Sequence, residues 1–290
     1  MAGSTRSSSS RGGESIDFLK LQSCGKDVIL IDGTRQKLPE HFQAMCTRLL
    51  HRRLGIGATE AVVLLEAGRK TAKADVIGRS GEPSPFPSDA LRCLARYAYD
   101  AGLLEGEGAD IIVGDRSFTA DLIDSQSIMM GLGIPSDFAR AEVRETLSGN
   151  PFRSVEVGDS TYTCASLFVE GAHVTVFVPS YGFDLPEVSR GLAVDVDGPV
   201  RVGFTRVFSR TELQVRSLDE AGREEPCSAA SSAASLVAAA LGGLADREAA
   251  VHNRGGDLYV EWEERTGGLY VTGQVSYVFT GTFDSEDVEP

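Results

Sequence analysis

Most of the signatures that would assign this chain quickly are missing from it. There is no Cys-x-x-Cys and no His-Glu-x-x-His, and the four histidines (His41, His51, His173, His252) lie far apart. Without closely spaced thiol or imidazole ligands, no metal is expected. No run of eighteen apolar residues occurs, and the longest small-apolar stretch, 233–244, is short and Ala-rich. No membrane span is therefore expected. Five cysteines, an odd number with wide spacing, argue against a disulfide framework and fit a reducing cytoplasm. Positive charge is scarce: 28 Lys and Arg face 42 Asp and Glu, a net charge of −14. Such a chain is repelled by nucleic acid and by anionic membranes, so neither is expected as a partner. Residues 1–15 have no apolar core and are rich in Ser, Gly and Arg. They read as a disordered tail, not a signal peptide.

What is present is an ordinary globular composition, 42% hydrophobic and 24% charged over 290 residues. That length buries one large core or two smaller ones. Alternation over 17–21 and the apolar runs 28–31 and 61–65 predict strands. The 39–54 stretch reads as a helix broken by Gly55-Ile56-Gly57, and 90–101 as a helix stopped by Gly102. Strands are expected at 110–113 and 117–123. The second half repeats this grammar: a loop ending at Pro226, a helix over 228–241 stopped by Gly242-Gly243, then strands at 258–262 and 269–275. Registering the helices at Ser88 and Ser228 also aligns Gly102 with Gly242, the trace that two similar lobes leave. The expected class is α+β: two similar lobes, each a curled mixed β-sheet around a central helix. Their expected bounds are 16–130, completed by 276–284, and 131–275, with 285–290 as a tail.

In each lobe a loop delivers polar residues to a helix start. Unpaired N–H groups and the positive end of the helix dipole bind a carboxylate there. The two starts are Pro85-Phe86-Pro87-Ser88-Asp89 and Glu224-Glu225-Pro226-Cys227-Ser228-Ala229-Ala230. Facing one cleft, they would clamp a small-molecule carboxylate from both sides.

Several segments carry a resemblance to a known superfamily. Arg52-Arg53-Leu54-Gly55-Ile56-Gly57, 90–97, 255–262 and 269–281 resemble diaminopimelate epimerases over roughly 17–283. The resemblance implies a diaminopimelate-epimerase-like fold and cofactor-independent proton transfer, with one cysteine per lobe as acid and base. Here the first cysteine position falls on Pro87, the second on Cys227, and a substrate-binding Asn on Lys26. At these altered places the chain is closer to phenazine-biosynthesis isomerases. Thr59-Glu60-Ala61 resembles the segment bearing their proton-transfer Glu, Asp89 falls at the His of their first loop, and Glu225 at a catalytic Asp. The likeness implies an isomerase of specialised metabolism, including antibiotic biosynthesis, acting on dihydroanthranilate-like or alkylproline precursors.

The candidate catalytic residues are therefore Glu60, Asp89, Glu225 and Cys227. A carboxyl buried beside Val62 and Leu64 should hold its proton more tightly, which suits Glu60 to general acid/base work. Asp89 also suits a helix N-cap. Cys227 at a helix start should have a lowered pKa. Three acids in one cleft repel, so at least one should stay protonated. Candidate binding residues are Ser88, Ser228 and Ala229 through backbone N–H groups, with His173 and Arg201 from the resemblance. Arg201 would pair a second carboxylate bidentately. Three readings stay open: a double-bond isomerase using Glu60, an epimerase or racemase using Cys227 and a carboxylate, and a catalytically inactive small-acid binding protein. None requires a cofactor, and a monomer or homodimer serves each.

Overall fold

The computed structural model describes residues 15–139, 142, 143, 147, 151–194, 196, 198–219 and 221–288. The stretch 1–14, most of the expected tail, lies outside the described residues. The first half runs β1 (Ser15–Ser23), β2 (Lys26–Asp32), α1 (Phe42–Leu50), β3 (Glu60–Gly68), β4 (Thr71–Gly78), α2 (Ser88–Asp100), β5 (Ala109–Val113), β6 (Arg116–Leu122) and β7 (Ser127–Gly133). Then follow β8 (Ser136–Ala139), β9 (Glu142–Val143), β10 (Phe152–Val157), β11 (Ser160–Val169), β12 (Gly171–Phe177), α3 (Leu185–Ala193), β13 (Val200–Ser209), β14 (Glu212–Asp219) and β15 (Glu224–Glu225). The chain ends with α4 (Ala229–Leu241), β16 (Glu248–Asn253), β17 (Gly256–Trp262) and β18 (Leu269–Asp284).

The α+β expectation and the two similar lobes hold. In the first lobe β1, β2, β3, β4, β5, β6, β7 and β18 pair in a closed ring, parallel at β2–β3 and β4–β5 and antiparallel elsewhere. The second lobe repeats the pattern: β11, β12, β13, β14, β16, β17 and β18 are parallel at β12–β13 and β14–β16. The β2–β3 and β12–β13 crossovers carry the outer helices α1 and α3, while the β4–β5 and β14–β16 crossovers carry α2 and α4, which run through the two interiors. Interior burial explains the sequence of α4, eleven of whose thirteen residues are buried. Small Ala and Ser let strands close around it. The serines are not left dry: Ser231 Oγ meets Ser217 Oγ at 2.8 Å and Ser235 Oγ meets Thr205 Oγ1 at 2.9 Å.

Both inner helices end alike. Gly102 and Gly243 take positive φ (66° and 71°), and Leu103 and Leu244 donate back to Ala98 and Ala239, a Schellman stop. Leu91 N–H to Pro87 O at one start matches Ser232 N–H to Ser228 O at the other, a spacing of 141 residues. The sequence alignment of Ser88 with Ser228 was thus one residue out. Pro87 is the counterpart of Ser228, and Gly102 that of Gly243. Identity between the halves was too sparse to fix a one-residue slip; hydrogen-bond register fixes it.

Other boundaries move too. The 39–54 helix shortens to α1, because 51–57 folds into turns, with Gly55 N–H on His51 O and Gly57 N–H on Leu49 O. The expected lobe boundary at 130/131 falls inside β7, which stays paired with β18 to Gly133, so the chain changes lobe at Ile134-Pro135. Residues 285–288 are no tail: they form a 3₁₀ turn with Val288 buried against the α1 core. Among the described residues no helix is long and apolar enough to cross a membrane.

Candidate active site between the lobes

The site begins with a clasp that aims β3. Arg52 donates from both terminal nitrogens to Asp27 at 3.0 and 2.7 Å. Thr59 donates to Asp27 through its hydroxyl and its backbone, each at 2.9 Å. Burial works against ionising Asp27, but Arg52, Lys20 and Thr59 outweigh it and lower its pKa to about 2. Glu60, the next residue, then opens β3 opposite Val28 and Gly78. Its carboxyl is buried and accepts from the Ser84 hydroxyl through Oε1, while Oε2 has no partner. Burial raises the Glu60 pKa, and the nearby charges of Lys26 and Arg201 only partly offset it.

Lys26, at the start of β2 and buried, reaches Asp89 at 3.0 Å and Glu225 at 3.3 Å. Burial alone would lower its pKa, but Glu225 and Asp89 overcome that and raise it. Asp89 lies in the first turn of α2, yet Pro87, not Asp89, is the N-cap, without a side-chain cap bond. Its oxygens instead accept from Ala229 N–H at 3.2 and 3.3 Å, at the start of α4. Arg92 joins from one turn along at 3.1 Å. Despite burial, Lys26 and Arg92 lower the Asp89 pKa. The two helix starts therefore point at each other, with the anion-binding end of α4 held by a carboxylate of α2.

Glu225 meets Arg201 through Nε at 2.5 Å and Nη2 at 2.7 Å. The expectation that Arg201 pairs a second carboxylate bidentately needs correction, since Glu225 already takes that fork; Nη1 alone is left without a partner. Arg201 and Lys26 outweigh burial and lower the Glu225 pKa. The internal repeat is legible here as well. By the spacing of 141 residues seen at the helix starts, Glu60 corresponds to Arg201 and Ser84 to Glu225. The Ile77–Pro83 bridge likewise corresponds to the Leu218–Glu224 pair. Each lobe thus joins the first residues after its crossover to the loop before its inner helix.

His173 is buried, with Nε2 on Val169 O at 3.0 Å and Nδ1 by Ser231 Oγ at 3.2 Å. Burial, then Arg201, holds its pKa near 3, so it is a neutral ring. Its edge meets Phe86 at 5.3 Å, and Arg201 stacks on the same Phe86 ring at 3.8 Å. By the same spacing Phe86 is the counterpart of Cys227. Ser88 is buried at the first residue of α2, and Ser228 caps α4 by accepting from Ser231 N–H at 3.2 Å.

Cys227 departs from expectation. Its thiol is hydrogen-bonded to Cys24, and that bond, together with burial, raises its pKa. Cys24, which no sequence pattern singled out, is the thiol shifted down, to about 7, by the Cys227 bond first and then, against burial, by Arg92. The helix dipole does favour a thiolate, but of two bonded thiols only one gains from ionising. In Cys227→Ala the alkylation midpoint of Cys24 should rise by more than one pH unit, and its rate at pH 7 should fall at least about fivefold. Mass-resolved iodoacetamide labelling reads this; an unmoved midpoint would sink the pair.

Sequence reasoning also missed Arg92, Arg116 and Glu170. Arg92 lies inside a helix, where 3.6-residue spacing from Asp89 hinted at it. Arg116 donates from Nη1 to Pro85 O at 3.0 Å and Glu170 O at 3.1 Å, clasping loops of opposite lobes. Around one centre, Lys26, Arg92 and Arg201 face Asp89 and Glu225, leaving one excess positive charge when Glu60 is protonated. Unpartnered Glu60 Oε2, Arg116 Nη2, Glu170 Oε1 and Oε2, and Arg201 Nη1 add both acceptors and donors. Unpaired buried polar atoms are rare enough to mark a place where something else binds.

No family model matches the chain. Diaminopimelate epimerase of Moorella thermoacetica is 27% identical over 289 residues, covering 92% of this chain and 99% of that protein. Among solved structures, a hydroxyproline epimerase from Agrobacterium vitis with bound trans-4-hydroxy-L-proline superposes with a TM-score of 0.68 at 12% identity, over 95% of this chain and 94% of that one. A PhzF-family phenazine biosynthesis protein from Bacillus anthracis superposes with a TM-score of 0.62 at 14% identity, over 93% and 99%. Along nearly its whole length the chain is similar in sequence to diaminopimelate epimerases, and it shares its fold with PhzF-family and hydroxyproline epimerase-like proteins, a likeness that supports an isomerase.

Proposed function

We propose that the chain moves a proton on a small amino-acid-derived carboxylate, with double-bond migration and with Glu60 as the proton-carrying group. One observation carries the reading. Among Glu60, Asp89 and Glu225, Glu60 is the one whose pKa is raised, with one oxygen free, while Asp89 and Glu225 are held ionised by cations. Acids pushed apart in this way divide naturally into a proton carrier and fixed counter-charges. The excess positive charge favours a carboxylate ligand, and Arg201 Nη1 is a free donor for it. An unsaturated substrate would spread the charge left by proton removal over a conjugated system. Specialised metabolism, including antibiotic biosynthesis, suits the PhzF-family likeness. The five buried free thiols favour a cytoplasmic setting.

A two-thiol epimerase is less well supported, because Phe86 stands at the counterpart of Cys227 and cannot carry a proton. The test uses diaminopimelate, proline, trans-4-hydroxyproline and a set of β,γ-unsaturated carboxylic acids, each followed by NMR in deuterated water. Deuterium should enter one carbon of a turned-over compound as its double bond moves. Glu60→Gln keeps the Ser84 contact and should lower product formation by roughly 10²- to 10⁴-fold. Product formation at the parent rate in that variant would remove Glu60 from the mechanism. Ligand-induced stabilisation with no exchange at all would favour a binding protein instead.

A further inference from the structure

Glu170 sits at the turn between β11 and β12, from the second lobe. Its backbone has φ of 62°, a conformation costly for a residue with a side chain. Such strain persists where the surroundings over-determine it, and it clusters at working sites. The surroundings here do so. A side chain at Gly171 would lie 2.6 Å from the Phe86 ring, so the hairpin is pressed against the first lobe's loop. Arg116 ties Glu170 O to Pro85 O across the same junction. The held carboxyl points toward Ser88 at the start of α2, and neither oxygen has a hydrogen-bond partner. Ser88 and the charges of Arg116 and Arg201 only partly offset its burial. Glycine would take the same turn without strain, so the carboxyl calls for another explanation.

Glu60 accepts from Ser84, and Arg116 ties Glu170 to the adjacent Pro85, so the two carboxyls flank the same loop, one delivered by each lobe. We infer that Glu170 is the base of the interlobe site, taking a proton from a ligand carbon while Glu60, as the acid, gives one to another carbon of the same ligand. This inference rests on the isomerase reading above. The step balances without a co-reactant. The C–H bond breaks to a Glu170 oxygen, its electron pair enters the conjugated system, and a new C–H bond forms as the Glu60 O–H bond breaks. Solvent then takes the proton from Glu170 and returns one to Glu60. Burial, only partly offset by Ser88 and Arg116, raises the Glu170 pKa to about 7, so both forms are present at neutral pH. That is the working range of a general base.

The same carboxylic acid set in deuterated water separates this inference from its foundation. Glu170→Gln should lose both deuterium entry into recovered substrate and product formation, each by at least about 100-fold. Glu60→Gln should lose product yet still wash deuterium into recovered substrate. Turnover by Glu170→Gln at the parent rate overturns the inference while leaving Glu60 in place; full product from Glu60→Gln overturns the foundation. Glu170→Gly guards against a misfolded variant: relief of the positive φ should raise its melting temperature while product is lost, and retained turnover again overturns the inference. Should no compound be turned over, infrared titration decides. A protonated carboxyl band that titrates near pH 7 and vanishes in Glu170→Gln supports the assignment; its absence ends it.

Discussion

Lys26→Met should lower the melting temperature by about 6 to 20 °C at pH 7. Lys26 is buried and stands between Asp89 at 3.0 Å and Glu225 at 3.3 Å. Methionine fills much the same volume, so the change removes charge with little loss of packing. Breaking a buried ion pair from one side costs about 3–5 kcal/mol; Asp89 keeps Arg92 and Glu225 keeps Arg201, but both lose the cation they share. Each kcal/mol moves the midpoint by about 2–4 °C in a chain near this size. The deficit should also depend on pH. Asp89 and Glu225 have depressed folded pKa values, so their stabilisation is present above the ordinary carboxylate range and is lost as pH falls through the folded values. The difference between the two proteins should accordingly be largest near neutrality and shrink below about pH 4. Calorimetry across that range reads it. A deficit constant with pH would mean that Lys26 acts by packing and that the cluster is not electrostatic.

Asp89→Ala should open an anion site that small carboxylates fill. In the parent, one carboxylate satisfies Lys26, Arg92 and the Ala229 N–H at the start of α4. Truncation leaves two buried cations and an exposed helix end around a hole of carboxylate size. The cost should again be about 3–5 kcal/mol. Formate at ten times its dissociation constant should return about 1.4 kcal/mol by mass action, whereas chloride at equal ionic strength should return less. The parent should show a smaller preference, because its own carboxylate already occupies this place. Removing both partners, in Lys26→Met with Asp89→Ala, should cost less than the two single costs added, by at least about 2 kcal/mol, since neither charge is then left stranded. Strict additivity, or a formate effect equal in parent and variant, would count against the arrangement.

How much of this was legible in the sequence differs by element. Strands of branched apolar residues, such as Val28 to Ile31, declare themselves through composition. So do helix stops such as Gly102 and Gly243, where a positive φ is needed. β4 is harder, because its inward residues include Ala72 and Ala74, and alanine carries little strand preference. α3 went unread although Asp184 caps it, accepting from Glu187 N–H at 2.9 Å, with Pro186 in its first turn. That signature was available.

The candidate site divides along the same line. Local pattern placed Glu60 at the head of a strand, and Asp89 and Glu225 beside helix starts, since such places are set by a few neighbouring residues. It also brought Cys227 to notice, though not the direction of its titration, because that depends on Cys24, which is distant in sequence. Lys26 and Glu170 carry no local pattern that names their partners. Sequence determined two repeated lobes, their inner helices and an acidic set of candidate groups, all consequences of short-range periodicity and capping. Which acid keeps its proton, which cation answers which carboxylate, and that α2 supplies the anion for α4 were decided only by the tertiary structure. Burial and charge pairing act through space between residues far apart along the chain.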